Sequence, residues 1–203
     1  MDVYKEFGVS KQENPFAIVP EETIRKNLQG LKEYGFSREQ IIKIVCGLPE
    51  TLNCSWKRTE MIFNNLVEYG FSREQVIKIV YSFPQTLGYS WKRTGGILTN
   101  LGEYGFSREQ IIKIVCGLPA TLSCSWERTE KILNICKNIG FNILNAPHKL
   151  MFSPETLQSR INFLRIKFEM ENEKLLKTIF ASNKAFEKRF GISREELLKD
   201  YLD

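Results

Sequence analysis

The stretch FSREQIIKIVCGLPETLNCSWKRTE, residues 36–60, decides the fold because the chain writes it three times. It returns at 106–130 as FSREQIIKIVCGLPATLSCSWERTE, differing only at Glu50/Ala120, Asn53/Ser123 and Lys57/Glu127. A looser copy, FSREQVIKIVYSFPQTLGYSWKRTG, occupies 71–95. The copies lie 35 residues apart. Such a period belongs to stacked repeats, in which each unit buries a face against its neighbour that it could not bury alone.

One unit, residues 36–70, reads as helix, tight turn, helix. Ser37 followed by Gln40 is a capping-box start. Ile41, Ile42, Ile44 and Val45 cover one side of a short helix, which Gly47 ends and Pro49 keeps from resuming. The PETL that follows has room for a tight turn or a single 3₁₀ turn. Ser55 is placed to cap a second helix from Trp56, with Thr59, Ile62, Phe63, Leu66 and Val67 as its apolar stripe and Gly70 as its end. Trp56, Trp91 and Trp126, with Tyr34, Tyr69 and Tyr104 at the unit boundaries, read as core at period-locked positions. Gly95-Gly96 interrupts the second helix of the middle copy, as a flexible point or a close backbone approach.

The flanks are shortened versions of the same unit. Gly8 to Pro15 and Gly140 to Pro147 each span seven positions, where Gly105 to Pro119 spans fourteen. Both flanking units have therefore lost about two turns of their first helix, as capping repeats do. SPETLQSRINFL at 153–164 still reads as a second helix, with Pro154 at its first position. The expected fold is all-α, a single α-solenoid domain over residues 1–203. It comprises an N-terminal capping half-repeat (1–35), full repeats at 36–70, 71–105 and 106–140, a shortened repeat at 141–170 and a degenerate cap at 171–203.

Composition is that of a soluble globular chain, 42% hydrophobic and 26% charged over 203 residues. No apolar run approaches the roughly 18 residues of a membrane span. The opening MDVYKEFGVSKQENP is neither a secretory signal nor an acid-poor transit peptide, so the expected setting is intracellular with no readable address. Cys46 and Cys116 share one repeat position and Cys54 and Cys124 another, and the middle copy holds Tyr81 and Tyr89 there. A disulfide or metal site would not survive that exchange, so these cysteines are expected to be reduced, buried, small hydrophobes. His148 is the only histidine, Asp occurs only at 2, 200 and 203, and no phosphate loop or nucleophile elbow appears. The expectation is no enzyme, no cofactor and no metal.

The formal charge of +5 permits an anionic partner without demanding one. Its placement is more informative. A cation in the first turn of a helix opposes the dipole, at about 0.3–1 kcal/mol. Yet Arg38, Arg73 and Arg108 follow the cap of each first helix, and Arg58, Arg93 and Arg128 sit in the first turn of each second helix, with Lys57 and Lys92 beside them. Repeating an unfavourable choice implies a compensating partner, and phosphate suits helix amides and guanidinium together. With units offset by about 10 Å, three would span roughly 30 Å, close to the ~34 Å turn of a duplex. Such contacts position a backbone without reading sequence. Lys43, Lys78 and Lys113 read instead as i+4 partners of Glu39, Glu74 and Glu109.

The recurring Gly-Phe-Ser, Ile/Val-rich helix, Pro-x-x-Leu, Ser-Trp and Leu-bearing second helix resembles the mTERF family, the mitochondrial transcription termination factors and their relatives. Pro49, Leu52 and Leu66, Pro84, Leu87 and Leu101, Pro119 and Leu122, and Pro147, Leu150 and Leu164 carry the likeness. It implies a superhelical stack that grips double-stranded nucleic acid, with duplex DNA the first candidate and RNA the second, acting in transcription regulation or termination; the expected oligomeric state is a monomer. A weaker likeness is to TAL effectors of host-associated bacteria, whose repeats also open with a Phe/Leu-x-x-Glu-Gln-type helix. Their base-reading positions would fall on Gly47-Leu48, Ser82-Phe83 and Gly117-Leu118, and Leu or Phe cannot read a donor–acceptor pattern. A protein-binding α-solenoid is the alternative reading.

Overall fold

The computed structural model describes residues 20–52 and 54–202; the shortened first helix expected between Gly8 and Pro15 lies outside them. Among the described residues there are α-helices and 3₁₀ turns and no strand. The α-helices are α1 (Glu21–Tyr34), α2 (Arg38–Gly47), α3 (Trp56–Tyr69), α4 (Arg73–Ser82), α5 (Trp91–Glu103), α6 (Arg108–Gly117), α7 (Trp126–Asn138), α8 (Pro154–Phe168), α9 (Asn172–Leu176), α10 (Asn183–Phe190) and α11 (Arg194–Asp200). The chain divides into two compact units, up to Ser123 and from Cys124 onward. The division falls inside the third repeat, between its 3₁₀ turn and its second helix.

In the first unit the repeat is built as its sequence dictates. Ser37, Ser72 and Ser107 each accept the amide of the residue three along, while Gln40, Gln75 and Gln110 return the bond to the serine amide. Two orphan donors per helix are thereby satisfied. Each first helix gives way to a 3₁₀ turn at Pro49–Leu52, Pro84–Gly88 or Pro119–Ser123. Leu52, Leu87 and Leu122 point into the core, at most 3% exposed. Each packs on the first helix of its own repeat, where Ile41, Ile44 and Val45 and their counterparts one and two repeats along are also buried. Of the stripe expected on α3, Thr59, Ile62, Phe63 and Leu66 are buried and Val67 is 44% exposed.

Two expectations are corrected by packing. Ser55 and Ser125 make no side-chain cap, whereas Ser90 accepts the Arg93 amide at 3.4 Å. The cysteines are free thiols, but only Cys136 is buried; Cys46 is exposed and Cys54, Cys116 and Cys124 are half-buried. Their repeat positions lie beside basic side chains rather than in the apolar layer. The tryptophans are half-buried. A Cβ on Gly30 would lie 2.5 Å from the Trp56 ring, so α1 offers a flat seat on which that indole rests. Gly95 is likewise a close approach, to Trp91 on the preceding turn, while a Cβ on Gly96 would meet nothing within 4 Å. Helix α5 runs unbroken through both.

The second unit begins with α7 and the expected truncation: the 3₁₀ turn Ile143–Asn145 stands where a first helix stood before. A second 3₁₀ turn, Pro147–Met151, leads into α8, which Ser153 caps and Pro154 opens. The C-terminal segment is more regular than its sequence first suggests. GISREEL at 191–197 repeats the pattern of GFSREQI at 35–41, and Ser193 with Glu196 forms the same capping box at the start of α11. Helix α11 packs along α8. Tyr201 meets Phe163 edge-on at 5.2 Å, within a cluster that includes Phe168, Phe186 and Phe190.

Candidate nucleic-acid interface

The six arginines singled out by the dipole argument have partners inside the fold. Arg73, at the start of α4, donates through Nε to the Tyr34 carbonyl at 2.6 Å and through Nη2 to the Glu33 carbonyl at 2.7 Å. Those are the last carbonyls of α1, the negative pole of another helix. The charge that opposes the dipole of α4 therefore completes that of α1. Its guanidinium also lies over the Tyr34 ring, 4.8 Å from the centroid, and Arg108 takes the corresponding place over Tyr69 at 5.6 Å. Burial raises the pKa of both tyrosines, and the neighbouring arginine opposes that rise. Arg38 is exposed at the head of α2.

The second-helix arginines reach forward instead. Arg58 Nη2 donates to the Gly88 carbonyl at 2.8 Å, and Arg93 Nη2 to the Ser123 carbonyl at 2.6 Å. Each thus ties its helix to the end of the next repeat's 3₁₀ turn, 30 residues on. Arg128, in the second unit, does this most fully: Nη1 donates to Leu150 and Nη2 to Met151 and Phe152, at 2.7–3.0 Å. The side chain one turn earlier seats the guanidinium. It is a thiol at Cys54 and Cys124 (3.8 and 3.7 Å) and a ring face at Tyr89 (4.6 Å). This explains why Cys and Tyr alternate at one repeat position.

Much of the compensation that the sequence analysis assigned to phosphate is thus supplied by backbone carbonyls. Sequence reasoning missed this because the carbonyls lie 22–40 residues away and carry no residue signature. Lys57 and Lys92 remain different. Both are exposed in the first turns of α3 and α5, where no acidic residue stands. Among the described residues neither is in an ion pair. The third copy closes this arrangement, since Glu127 pairs with Lys131 at 2.8 Å.

The i+4 pairs expected along the first helices do not form. Among the described residues no ion pair joins Lys43 to Glu39, Lys78 to Glu74 or Lys113 to Glu109. The Ser72 and Ser107 hydroxyls donate to Glu74 and Glu109 at 2.7 Å, which holds both carboxyls below the usual range. Lys43 instead lies 3.9 Å from the centroid of the Tyr81 ring. Lys78, Lys113 and Cys116 line an open groove between α4 and α6. Among the described residues no cluster of His, Cys, Asp and Glu could hold a metal ion, and no helix is long and apolar enough to cross a membrane.

A search of curated proteins gave no match. The mTERF family model, in contrast, matches residues 15–138, more than half of the chain. The match ends with α7, having covered every copy of the 35-residue unit together with the helix that precedes them. With capped first helix, proline-opened 3₁₀ turn and second helix repeated in register, the chain belongs to the mTERF family of helical-repeat proteins.

Proposed function

We propose that this protein binds double-stranded nucleic acid, duplex DNA before RNA, through Lys57, Lys92, Arg58 and Arg93, and acts in transcription by occupying the phosphate backbone. Family membership supports the nucleic-acid class. The observation that carries the site is the pair of uncompensated lysines at the positive ends of α3 and α5, one repeat apart, with no first-turn carboxylate to oppose an incoming anion. Arg58 and Arg93 add to it. Both are exposed, and each spends Nη2 on a carbonyl, which fixes the guanidinium while leaving other N–H groups for a phosphate. Arg73 and Arg108 serve the preceding helix and are secondary in this reading. Nothing in the arrangement reads a base edge, so binding is expected to tolerate sequence change.

Charge reversal tests the proposal. The Lys57→Glu/Lys92→Glu double variant should weaken retardation of a random duplex about tenfold or more at low salt while leaving the circular-dichroism spectrum unchanged. Retardation unaffected by the reversal would remove the site. A preference for duplex RNA over DNA of the same sequence would reverse the order of partners.

A further inference from the structure

The first helices of the repeats meet along two equivalent lines, α2 against α4 and α4 against α6, and the chain treats them differently. Between α2 and α4, Tyr81 reaches back so that its ring lies under Lys43, 3.9 Å from Nζ to the centroid. Gln85 closes the same place, its Nε2 donating to the Gly47 carbonyl at the end of α2 at 3.3 Å. One repeat along, Lys43 becomes Lys78, Tyr81 becomes Cys116 and Gln85 becomes Ala120. A thiol is much shorter than a phenol ring, and a methyl cannot donate to a carbonyl. Between α4 and α6 there is accordingly an open groove of about 600 Å³. Gln75 and Lys78 of α4 line it, with Glu109, Ile112, Lys113 and Cys116 of α6 among others. Its volume falls within the roughly 300–1,000 Å³ of small-molecule sites.

The lining is complementary to an aromatic ring that carries negative charge. Lys78 holds the repeat position from which Lys43 covers the Tyr81 ring, and an ammonium is attracted to such a face within about 6 Å. Burial raises the pKa of the Cys116 thiol and the charge of Lys78 opposes that rise, which sets the ammonium beside the thiol. Ile112 adds an apolar wall. Among the described residues neither Lys78 nor Lys113 is in an ion pair, and neither lies over a ring. The one carboxylate of the lining, Glu109, accepts the Ser107 hydroxyl at 2.7 Å. Two cations therefore stand against one anion, and the balance favours an anionic ligand over a neutral or cationic one.

We infer that the groove between α4 and α6 binds a nucleoside monophosphate. Its base takes the place that Tyr81 fills between α2 and α4, under the Lys78 ammonium, and its phosphate meets Lys113. Adenosine 5′-monophosphate is the probe, in an amide NMR titration of the full chain. Saturable shifts at Lys78, Lys113 and Gly117 are expected, with a millimolar Kd. Cys116→Tyr copies the filling that the chain itself uses one repeat earlier, so it should abolish these shifts while leaving the circular-dichroism spectrum unchanged. Tyr81→Cys/Gln85→Ala should open the equivalent groove and add saturable shifts at Lys43 and Ser82. Lys78→Gln should weaken binding about three- to fivefold. Adenosine, which lacks the phosphate, should bind more weakly than the monophosphate. The Lys57→Glu/Lys92→Glu variant should bind the mononucleotide as the parent does, so that failure of the duplex interface and failure of this groove are read separately. Absence of saturable shifts in the parent, full binding by Cys116→Tyr, or equal affinity for adenosine overturns the assignment.

Discussion

At the scale of single residues, this chain uses arginine as a connector between units distant in sequence. Arg73 shows the reason for that choice over lysine. Its Nε and Nη2 meet two successive carbonyls at 2.6 and 2.7 Å, a forked geometry that a single ammonium cannot reproduce. Arg73→Ala should lower unfolding free energy by about 1–2 kcal/mol, the loss expected for charge-assisted bonds at an exposed site. Arg73→Lys should recover less than half of it in urea denaturation, whereas equal stability of the lysine variant and the parent would reduce the contact to simple charge. Cys136 gives a pH test. Burial pushes its thiol up to about 12, against about 8.5 for an exposed cysteine. The folded state therefore holds a proton that the unfolded chain releases above pH 8.5, and stability falls from there towards pH 12. At pH 9.5 this one group should account for about 1 kcal/mol, so Cys136→Val should show a smaller drop in its urea midpoint between pH 8 and 9.5 than the parent.

At the scale of elements, glycine separates packing from propensity. Gly30 and Gly96 both stand inside α-helices, where replacement by alanine gains about 1 kcal/mol of helix propensity. On α1 that gain is overridden, because the new methyl would lie 2.5 Å from the Trp56 ring. Gly30→Ala should destabilise by about 1–3 kcal/mol as the indole is displaced. Gly96→Ala has open space and should stabilise by about 0.5–1 kcal/mol. Thermal unfolding of the two variants should move in opposite directions, and a shared direction would mean that the seat under Trp56 is unimportant. The first helices, their caps and the 3₁₀ turns were legible because each rests on local chemistry: Ser37 with Gln40, Pro49 with Leu52. Arg58 was legible as an oddity but not as a tie to Gly88, since a carbonyl 30 residues away leaves no mark on a sequence. The start of α11 was partly legible. GISREEL at 191–197 echoes the opening of every repeat, and that echo places an arginine at the start of another first helix.

At the scale of the whole molecule, two populations of basic side chain answer different demands. One is absorbed in holding repeats together, so its charge is spent against carbonyls and contributes little to a partner's field. The other, Lys57 and Lys92 with the exposed parts of Arg58 and Arg93, faces solvent at a one-repeat spacing. A net charge of only +5 provides little long-range attraction beyond these contacts. The salt dependence of duplex binding should therefore count the contacts directly. Each neutralised phosphate contributes about −0.9 to the slope of log K against log salt, so four side chains predict about −3.6. Lys57→Gln/Lys92→Gln should bring the slope to about −1.8, because the two arginines keep their carbonyl anchors and their phosphates. Arg73→Gln should leave the slope unchanged while lowering stability, since that guanidinium is committed to α1. A slope that falls as far in Arg73→Gln as in the lysine double variant would mean that the carbonyl-bound arginines also reach the nucleic acid, and the separation into connectors and contacts would fail.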